Sequence, residues 1–140
     1  MINKIDNFRG EYYFLSNFYN SKFTYRGLEY LNAEAAFQSM KCIKIADRKS
    51  FTNLAPNEAK KLGRKIRLRD DWEDIKYTIM EEIVYEKFNQ NLDLKTKLLE
   101  TGNAELEEGN TWGDTCWGIC NGVGKNMLGQ ILMRVRTQLK

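Results

Sequence analysis

The sequence predicts an α+β fold that is predominantly α-helical, with one small β element near the N-terminus. Two patterns support this prediction. Apolar residues recur at helical spacing through most of the chain beyond residue 32, and an aromatic-rich segment before that point carries the signal of a tight turn. The 140 residues are enough to bury one hydrophobic core, and no linker or repeat divides them. We therefore expect a single domain over residues 1–140.

The predicted β element is a hairpin over Lys22–Tyr30 that turns at Arg26-Gly27. Two turn-forming residues, Ser16 and Asn17, precede it. The Asn17 side chain either binds an amide or phosphate group of a ligand or forms an Asx-turn, which is the more common use of such a residue.

The first predicted helix extends from Ala33 to about Ile45, with Asn32 as its N-cap. Its apolar residues repeat at helical spacing, so this stripe should face the core. The stripe consists of Ala33, Phe37 and Met40.

A polar stripe borders that apolar face, because Glu34, Gln38 and Lys41 lie at positions i, i+4 and i+7. It is either a solvated ladder of opposite charges or a partly buried row. In the second case, loss of water lowers the pKa of the lysine amine and makes the amine available for chemistry.

Four further helices are predicted from capping residues and apolar spacing. The first spans Asn57–Leu62 and is opened by Pro56 and closed by Gly63. The second extends from residue 72 to about Asn91 and is capped by Asp70 or Asp71. The other two are Leu94–Glu100, which is capped by Asp93, and Asn126–Leu139. In the longest of them the expected core stripe is Trp72, Ile75, Ile79, Ile83 and Phe88, with Met80 and Val84 beside it. In the last helix the expected core stripe is Leu128, Ile131, Leu132, Val135 and Leu139.

The composition limits the chemistry. The chain has no histidine, so acid–base catalysis must use Asp, Glu, Lys, Tyr or Cys, and nucleophiles activated by histidine are excluded. Three cysteines do not indicate a disulfide framework, and without histidine they do not suggest a zinc site. We expect neither a metal nor a cofactor.

The composition also bears on location and partners. No apolar run is long enough to span a bilayer, and the N-terminus lacks the apolar core of a signal peptide. A cytoplasmic location and no membrane partner are therefore expected. The net charge of +3 does not by itself demand a nucleic-acid partner.

A glycine-rich loop is the first candidate site. Half of the ten glycines fall between Gly109 and Gly124, together with Trp112 and Trp117 and near the carboxylates Glu108 and Asp114. Such a loop either anchors the core through capped turns or forms a site, and the carboxylates favour a site.

A basic run forms the second candidate site. It extends from Lys60 to Arg69, around the end of the predicted helix Asn57–Leu62, and includes Arg64 just beyond that end. Such a run is either a solvated face or a phosphate-binding surface. The helix that starts at Asn126 offers another place for an anion.

Several stretches together resemble the NADAR (YbiA-like) family over about residues 8–136. They are Tyr13-Phe14-Leu15-Ser16-Asn17-Phe18, Tyr30, Ala33-Glu34-Ala35-Ala36-Phe37-Gln38, Lys41, Glu58-Ala59-Lys60-Lys61-Leu62-Gly63-Arg64, Asp71-Trp72, Lys87-Phe88, Leu98-Leu99-Glu100-Thr101-Gly102, Glu108, Asp114-Thr115-Cys116-Trp117-Gly118 and Gly124-Lys125-Asn126-Met127-Leu128-Gly129. Their number and order make the resemblance specific. Family members often carry an aromatic residue or a histidine where this chain has Ala35, a change that bears on substrate preference.

The resemblance implies an N-glycosidase that cleaves the bond between ribose C1 and an exocyclic amine. Its expected substrates are phosphoribosylamino-pyrimidine intermediates of riboflavin synthesis. The alternative is ADP-ribose attached to the guanine amino group, including that of nucleic acid. Two further alternatives are a non-catalytic module that binds ADP-ribose or NAD and a nucleic-acid binder that uses the basic run.

The residues allow two routes for this reaction. Either a carboxylate acts as acid–base through an oxocarbenium-like state, or Lys41 forms a transient Schiff base at C1 of the opened sugar. The candidate catalytic residues are Lys41, Glu34, Glu108 and Asp114. The candidate substrate-binding residues are Asn17, Phe18, Gln38, Lys60, Arg64, Trp72, Trp117, Gly118 and Asn126. Among them Trp117 is expected to stack on the base or ribose, and Lys60, Arg64 and Asn126 are expected to bind phosphate.

Overall fold

The computed structural model describes residues 2–140 and confirms the predicted α+β class, with helices as the main component. The strands are β1 (Lys4–Ile5), β2 (Asn20–Tyr25), β3 (Leu28–Asn32), β4 (Glu105–Leu106), β5 (Gly109–Asn110) and β6 (Ile119–Cys120). The α-helices are α1 (Ala33–Ser39), α2 (Ile45–Arg48), α3 (Pro56–Lys65), α4 (Trp72–Gln90), α5 (Leu92–Glu100) and α6 (Met127–Gln138). Short 3₁₀ helices occupy Gly10–Leu15 and Lys49–Phe51.

The described residues form two compact units. The central unit is Asn17–Asn91 and contains β2, β3, α1 to α4 and the second 3₁₀ helix. The terminal unit combines the residues up to Ser16 with Leu92–Lys140 and contains the other elements. Each unit is described by itself below.

The central unit begins with the predicted hairpin. Strands β2 and β3 are antiparallel, and Tyr25 pairs with Leu28 across the turn. Arg26 and Gly27 have φ values of 48° and 84°, the positive values that a tight two-residue hairpin turn of the I′ type requires. Alternate residues of β2 are buried, so one face of the hairpin packs on the helices of this unit.

Helix α1 starts as predicted but ends early. The Asn32 side chain accepts a hydrogen bond from the Ala35 amide at 2.7 Å, which confirms the N-cap. The prediction of a helix to Ile45 is wrong. The amides of residues 40–42 donate to carbonyls three residues back, so the last turn tightens and the helix stops after Ser39. Ile45 instead begins α2, and it is exposed.

Helix α3 extends beyond the predicted stop. Pro56 occupies the first turn as expected, but Gly63 lies within the helix, which continues to Lys65. Gly63 is buried, and a Cβ at this position would collide with the Gln38 carboxamide. The glycine therefore serves a close helix–helix contact and not a C-cap.

Helix α4 confirms the predicted core stripe, with one polar addition. Trp72, Ile79, Met80, Ile83, Val84 and Phe88 are buried, and Ile75 is half-buried. Lys87 is 1% exposed on the same helix, which the stripe did not predict. Asp71, one of the two predicted caps, is the N-cap residue of this helix, but its carboxylate bonds the Arg69 guanidinium at 2.7 Å and makes no capping hydrogen bond.

The terminal unit contains two short parallel strand pairs and two helices. Strand β1 pairs with β4, and β5 pairs with β6. Helix α5 begins at Leu92, two residues before the predicted start, and ends at Thr101-Gly102 as predicted. The predicted core stripe of the last helix is confirmed, since Leu128, Ile131, Leu132, Val135 and Leu139 are all buried.

Within residues 2–140, no helix has both the length and the apolar character that crossing a bilayer requires.

Candidate functional site

The polar stripe of α1 is buried in the central unit. Glu34 is 9% exposed and Gln38 is 6% exposed. The Gln38 amide nitrogen donates to the Glu34 carboxylate at 2.7 Å. The Glu34 backbone amide donates to the Asn17 carbonyl at 3.1 Å, which ties the start of α1 to the preceding turn. The alternative of a solvated ladder is therefore wrong for Glu34 and Gln38.

Lys41 lies just beyond α1 and is half-buried. Burial lowers the pKa of its amine, the Glu34 carboxylate opposes this shift, and the Arg64 guanidinium reinforces it. The Lys41 nitrogen lies 6.0 Å from the centre of the Trp72 ring. This amine is thus partly desolvated and lies within the electrostatic reach of one carboxylate and one guanidinium.

Gln38 carries an unusual acceptor. Its carboxamide oxygen is buried and has no hydrogen-bond partner within residues 2–140. The oxygen faces Gly63 of α3, where only the missing side chain leaves room for it. Gln38 was predicted to bind substrate, but its amide nitrogen is used on Glu34. Its geometry is that of a residue that positions the carboxylate.

Two other predicted binding residues have structural partners. The Asn17 amide donates to the Met80 sulfur at 3.4 Å, and Asn17 is buried. The Trp72 ring is 5% exposed and packs on Phe37 with ring centres 5.0 Å apart. Neither side chain presents an open face; Trp72 packs beside the Lys41 amine, and Asn17 packs on α4.

The predicted phosphate ligands on α3 lie at different depths. The Lys60 nitrogen is 5.9 Å from the centre of the Phe18 ring, and both residues are half-buried. Arg64 is exposed and lowers the pKa of Lys41 through its charge. The central unit therefore brings together Glu34, Gln38, Lys41 and Arg64.

In the terminal unit, Asp114 organises the glycine-rich loop. Its carboxylate accepts hydrogen bonds from the amides of Cys116 and Trp117 at 3.1 and 2.9 Å. The side-chain amide of Asn110 donates to the Asp114 backbone carbonyl at 2.9 Å and to the Glu108 carboxylate at 3.1 Å. Asp114 thus forms the turn itself, whereas Glu108 is a half-buried carboxylate at the edge of the loop.

The start of α6 is capped by this same loop. The amides of residues 125–128 donate to the carbonyls of residues 115–118. The Asn126 side chain accepts from the Glu108 amide at 2.9 Å and donates to the Leu106 carbonyl at 2.9 Å. Because these groups are already used, the structure does not support the predicted anion site at Asn126.

Gly118 has a packing role in this loop. A Cβ there would collide with the Glu108 carboxylate and with the Glu108 carbonyl. Gly118 is buried and Trp117 beside it is half-buried. The glycine therefore allows the segment between β4 and β5, which carries Glu108, to approach the loop closely.

The comparisons with known proteins agree with this architecture. The sequence model of the NADAR domain matches residues 6–140. The chain belongs to the NADAR family. The N-glycosidase YbiA of Escherichia coli (strain K12) is 35% identical over 117 residues, which cover 81% of this chain and 72% of that protein.

Two further NADAR comparisons are informative. The solution structure of E. coli YbiA matches with a TM-score of 0.86 and 34% identity, and it covers 99% of this chain and 86% of that one. The riboflavin biosynthesis protein VVA0006 of Vibrio vulnificus is 37% identical over 131 residues. The match covers 91% of this chain but only 35% of the Vibrio protein, so this chain spans about a third of that relative.

Sequence reasoning missed two residues that shape these NADAR clusters. Gly63 was interpreted as the end of a helix, although its missing side chain makes room for the Gln38 carboxamide. Asn110 was not singled out, although its side chain links Glu108 to Asp114. A glycine inside a good helical pattern is a signal for close packing, whereas no local pattern indicates the role of Asn110.

Proposed function

We propose that the protein is an N-glycosidase that hydrolyses the C1–N bond of ribosylamines, with phosphoribosylamino-pyrimidine intermediates of riboflavin biosynthesis as its substrates. The names of the E. coli and Vibrio relatives support the reaction and the pathway. The observation that carries the proposal in this chain is the partly desolvated Lys41 amine within the electrostatic reach of the buried Glu34 carboxylate. A single NADAR domain and a cytoplasmic location fit this role and remain predictions.

In the proposed route Lys41 is the nucleophile. The ribosylamine ring opens, so that C1 is doubly bonded to the substrate nitrogen. The neutral Lys41 amine adds to C1 and gives a proton to Glu34, which returns it to the departing pyrimidine amine. A C1=N bond to Lys41 remains, and water hydrolyses it to the free aldehyde sugar and the lysine amine. Each bond that forms at C1 is matched by one that breaks.

The alternative route keeps Lys41 as a cation and needs a carboxylic acid that protonates the leaving nitrogen. Glu108 remains a candidate for this role. Asp114 is a weaker one, because its carboxylate already binds two backbone amides. The lowered pKa of Lys41 favours the Schiff-base route, since more of the amine is neutral at a given pH.

The test combines product analysis with trapping. The protein is incubated with a phosphoribosylamino-pyrimidine and, separately, with ADP-ribosylated guanosine, and the released base is followed by mass spectrometry. Borohydride added during turnover should leave a ribose-derived mass on Lys41, and Lys41→Arg should be inactive. Release of base only from ADP-ribosylated guanosine would show that the substrates are ADP-ribosylated guanines and not phosphoribosylamino-pyrimidines. An active Lys41→Arg variant would show that Lys41 is not the nucleophile.

A further inference from the structure

A cavity of about 500 Å³ lies within the central unit. Its walls come from the segment that extends from Lys41 through the second 3₁₀ helix and from the end of α3 with the loop that follows it. This volume is in the range of roughly 300–1,000 Å³ that small-molecule sites occupy. Lys41 lines the cavity, which therefore begins at the proposed nucleophile.

The deeper lining of the cavity is apolar. Phe51 is fully buried, and Leu62 and Ile66 are half-buried. Charges at the edge of an apolar surface interact more strongly than charges surrounded by water, because the local dielectric is lower. An anion that enters this cavity would therefore meet strengthened electrostatic contacts on one side.

The charged lining has an excess of cations. Lys41, Lys44, Arg67 and Arg69 line the cavity, together with the two carboxylates Asp47 and Asp70. Arg69 is already engaged, because it bonds the Asp71 carboxylate at 2.7 Å and the Met40 carbonyl at 3.3 Å. These contacts hold the loop after α3 against the end of α1.

Lys44 and Arg67 differ from Arg69. Both are exposed, and within residues 2–140 neither side chain makes a hydrogen bond or an ion pair. They belong to different parts of the lining, Lys44 to the segment after α1 and Arg67 to the loop after α3. Two available cations that line one cavity with an apolar floor are suited to a phosphate group.

We propose that this cavity binds the 5-phosphate of the ribosylamine, with Lys44 and Arg67 as its ligands. The proposal rests on the proposed function, since it takes C1 to react at Lys41. In a pentose phosphate the phosphate lies at the opposite end of the sugar from C1, so its site must lie within one sugar length of Lys41. A cavity that Lys41 itself lines meets this requirement. Lys60 and Arg64 do not line the cavity. The 5-phosphate is thus assigned to Lys44, which lies outside the basic run, and to Arg67, which lies within the run but was not one of its predicted phosphate ligands.

The experiment compares charge reversals inside and outside the cavity. Lys44→Glu and Arg67→Glu change the proposed ligands, and Lys49→Glu is the matched control, since Lys49 is exposed in the neighbouring 3₁₀ helix and does not line the cavity. Binding of ribose 5-phosphate, ribose and ADP-ribose is measured by calorimetry or NMR titration. Thermal melts check that each variant folds. KM is measured for the phosphorylated ribosylamine and for its dephosphorylated form.

Lys44→Glu and Arg67→Glu should each weaken ribose 5-phosphate binding and raise KM for the phosphorylated substrate about tenfold or more, which is the size of a lost charged hydrogen bond. Ribose binding and KM for the dephosphorylated form should not change, and Lys49→Glu should match the wild type. Unchanged ribose 5-phosphate binding in folded Lys44→Glu and Arg67→Glu variants would overturn the proposal. Loss of ADP-ribose binding alone would also overturn it, because it would assign the cations to a diphosphate.

The binding arm does not depend on turnover. If the wild type binds ribose 5-phosphate through these cations but releases no base from any ribosylamine, the proposed function fails and the phosphate site stands. If base is released but the charge reversals leave binding and KM unchanged, the phosphate site fails and the proposed function stands.

Discussion

Gly63 on α3 lies directly against the carboxamide of Gln38 on α1, and Gln38 in turn donates to the Glu34 carboxylate at 2.7 Å. Because Gly63 has no side chain, the Gln38 carboxamide fits against it, and Gln38 in turn fixes the position of the Glu34 carboxylate. Glu34 acts electrostatically on Lys41. The contact connects helix packing in the central unit to the chemistry proposed for Lys41.

The first prediction concerns Gly63→Ala. The new methyl group would displace the Gln38 carboxamide, because the two cannot occupy the same space, and overpacking of this kind costs about 1–3 kcal/mol of stability. Turnover should fall at temperatures where the variant is still folded. Gly102→Ala is the control: Gly102 has φ 62°, so alanine is strained there too, but it lies at the end of α5 away from Gln38 in sequence. Equal loss of turnover in both folded variants would assign the effect to stability alone.

The second prediction concerns the pKa of Lys41. Burial lowers it, Glu34 raises it and Arg64 lowers it. Arg64→Gln should therefore raise the Lys41 pKa and leave less neutral amine at a given pH, so the acidic limb of kcat/KM moves to higher pH. Glu34→Gln should lower the Lys41 pKa. NMR titration of the Lys41 side chain should therefore show its midpoint at lower pH than in the wild type. Shifts in the same direction would contradict the proposed electrostatics.

The third prediction separates the two carboxylates of the terminal unit. Asp114→Asn keeps an oxygen that can accept from the Cys116 and Trp117 amides, so it should preserve most of the stability and the activity. Asp114→Ala leaves these amides without their acceptor and should cost about 1–3 kcal/mol in urea unfolding. A folded Asp114→Asn variant with a large loss of kcat would show that catalysis needs the negative charge of Asp114, in addition to the hydrogen bonds that form the turn.

The fourth prediction concerns Glu108, whose carboxylate accepts a hydrogen bond from the Asn110 side-chain amide at 3.1 Å. If the acid–base route operates, Glu108→Gln should lower kcat by roughly 10²–10⁴ while the fold is kept. If Lys41 is the nucleophile and Glu34 moves the proton, the variant should retain most of its turnover. Steady-state kinetics on the folded variant therefore distinguishes the two routes, with the Asp114→Asn variant as a matched control for loss of a charge.

The sequence predicted most elements because their signals are local. The Asn32 cap, the Arg26-Gly27 turn and the apolar stripe of α4 depend on neighbours within one or two turns, and all three are confirmed. The extent of α1 was not predictable in this way, since the polar stripe continued beyond Ser39 while the backbone tightened into shorter hydrogen bonds. A local sequence pattern predicts that a helix exists more reliably than it predicts the residue at which the helix ends.

The site was partly predictable for the same reason. Glu34, Gln38 and Lys41 share one short segment, so spacing alone suggested that they act together. The contacts of Gln38 with Gly63 and of Asn126 with Glu108 join residues that are distant in sequence. No local pattern contains such contacts, because they depend on how the elements pack within each unit.

The fifth prediction concerns Lys87, whose charge is buried in the central unit. Burial lowers the pKa of its amine to about 7, whereas an unfolded chain keeps it near the ordinary 10.5. Between these values the unfolded state binds more protons than the folded state, so Lys87 makes stability rise with pH, by about 1.4 kcal/mol per pH unit at most. Below pH 7 both states are protonated, and the penalty for the buried charge is fully present.

Lys87→Met removes this charge and keeps a side chain of similar length, so the variant should be more stable than the wild type at pH 6. Its advantage should shrink as the pH rises from 7 towards 10.5, because only the wild type gains stability there. Urea unfolding at pH 6, 8 and 9.5 measures the trend, with Lys61→Met as the control, since Lys61 is exposed on α3. The Lys61→Met difference from the wild type should not vary with pH. A constant difference for Lys87→Met as well would mean that Lys87 keeps its ordinary pKa, and that its contacts with the Tyr19 and Phe88 rings, at 5.8 and 5.0 Å, hold the charge in the core.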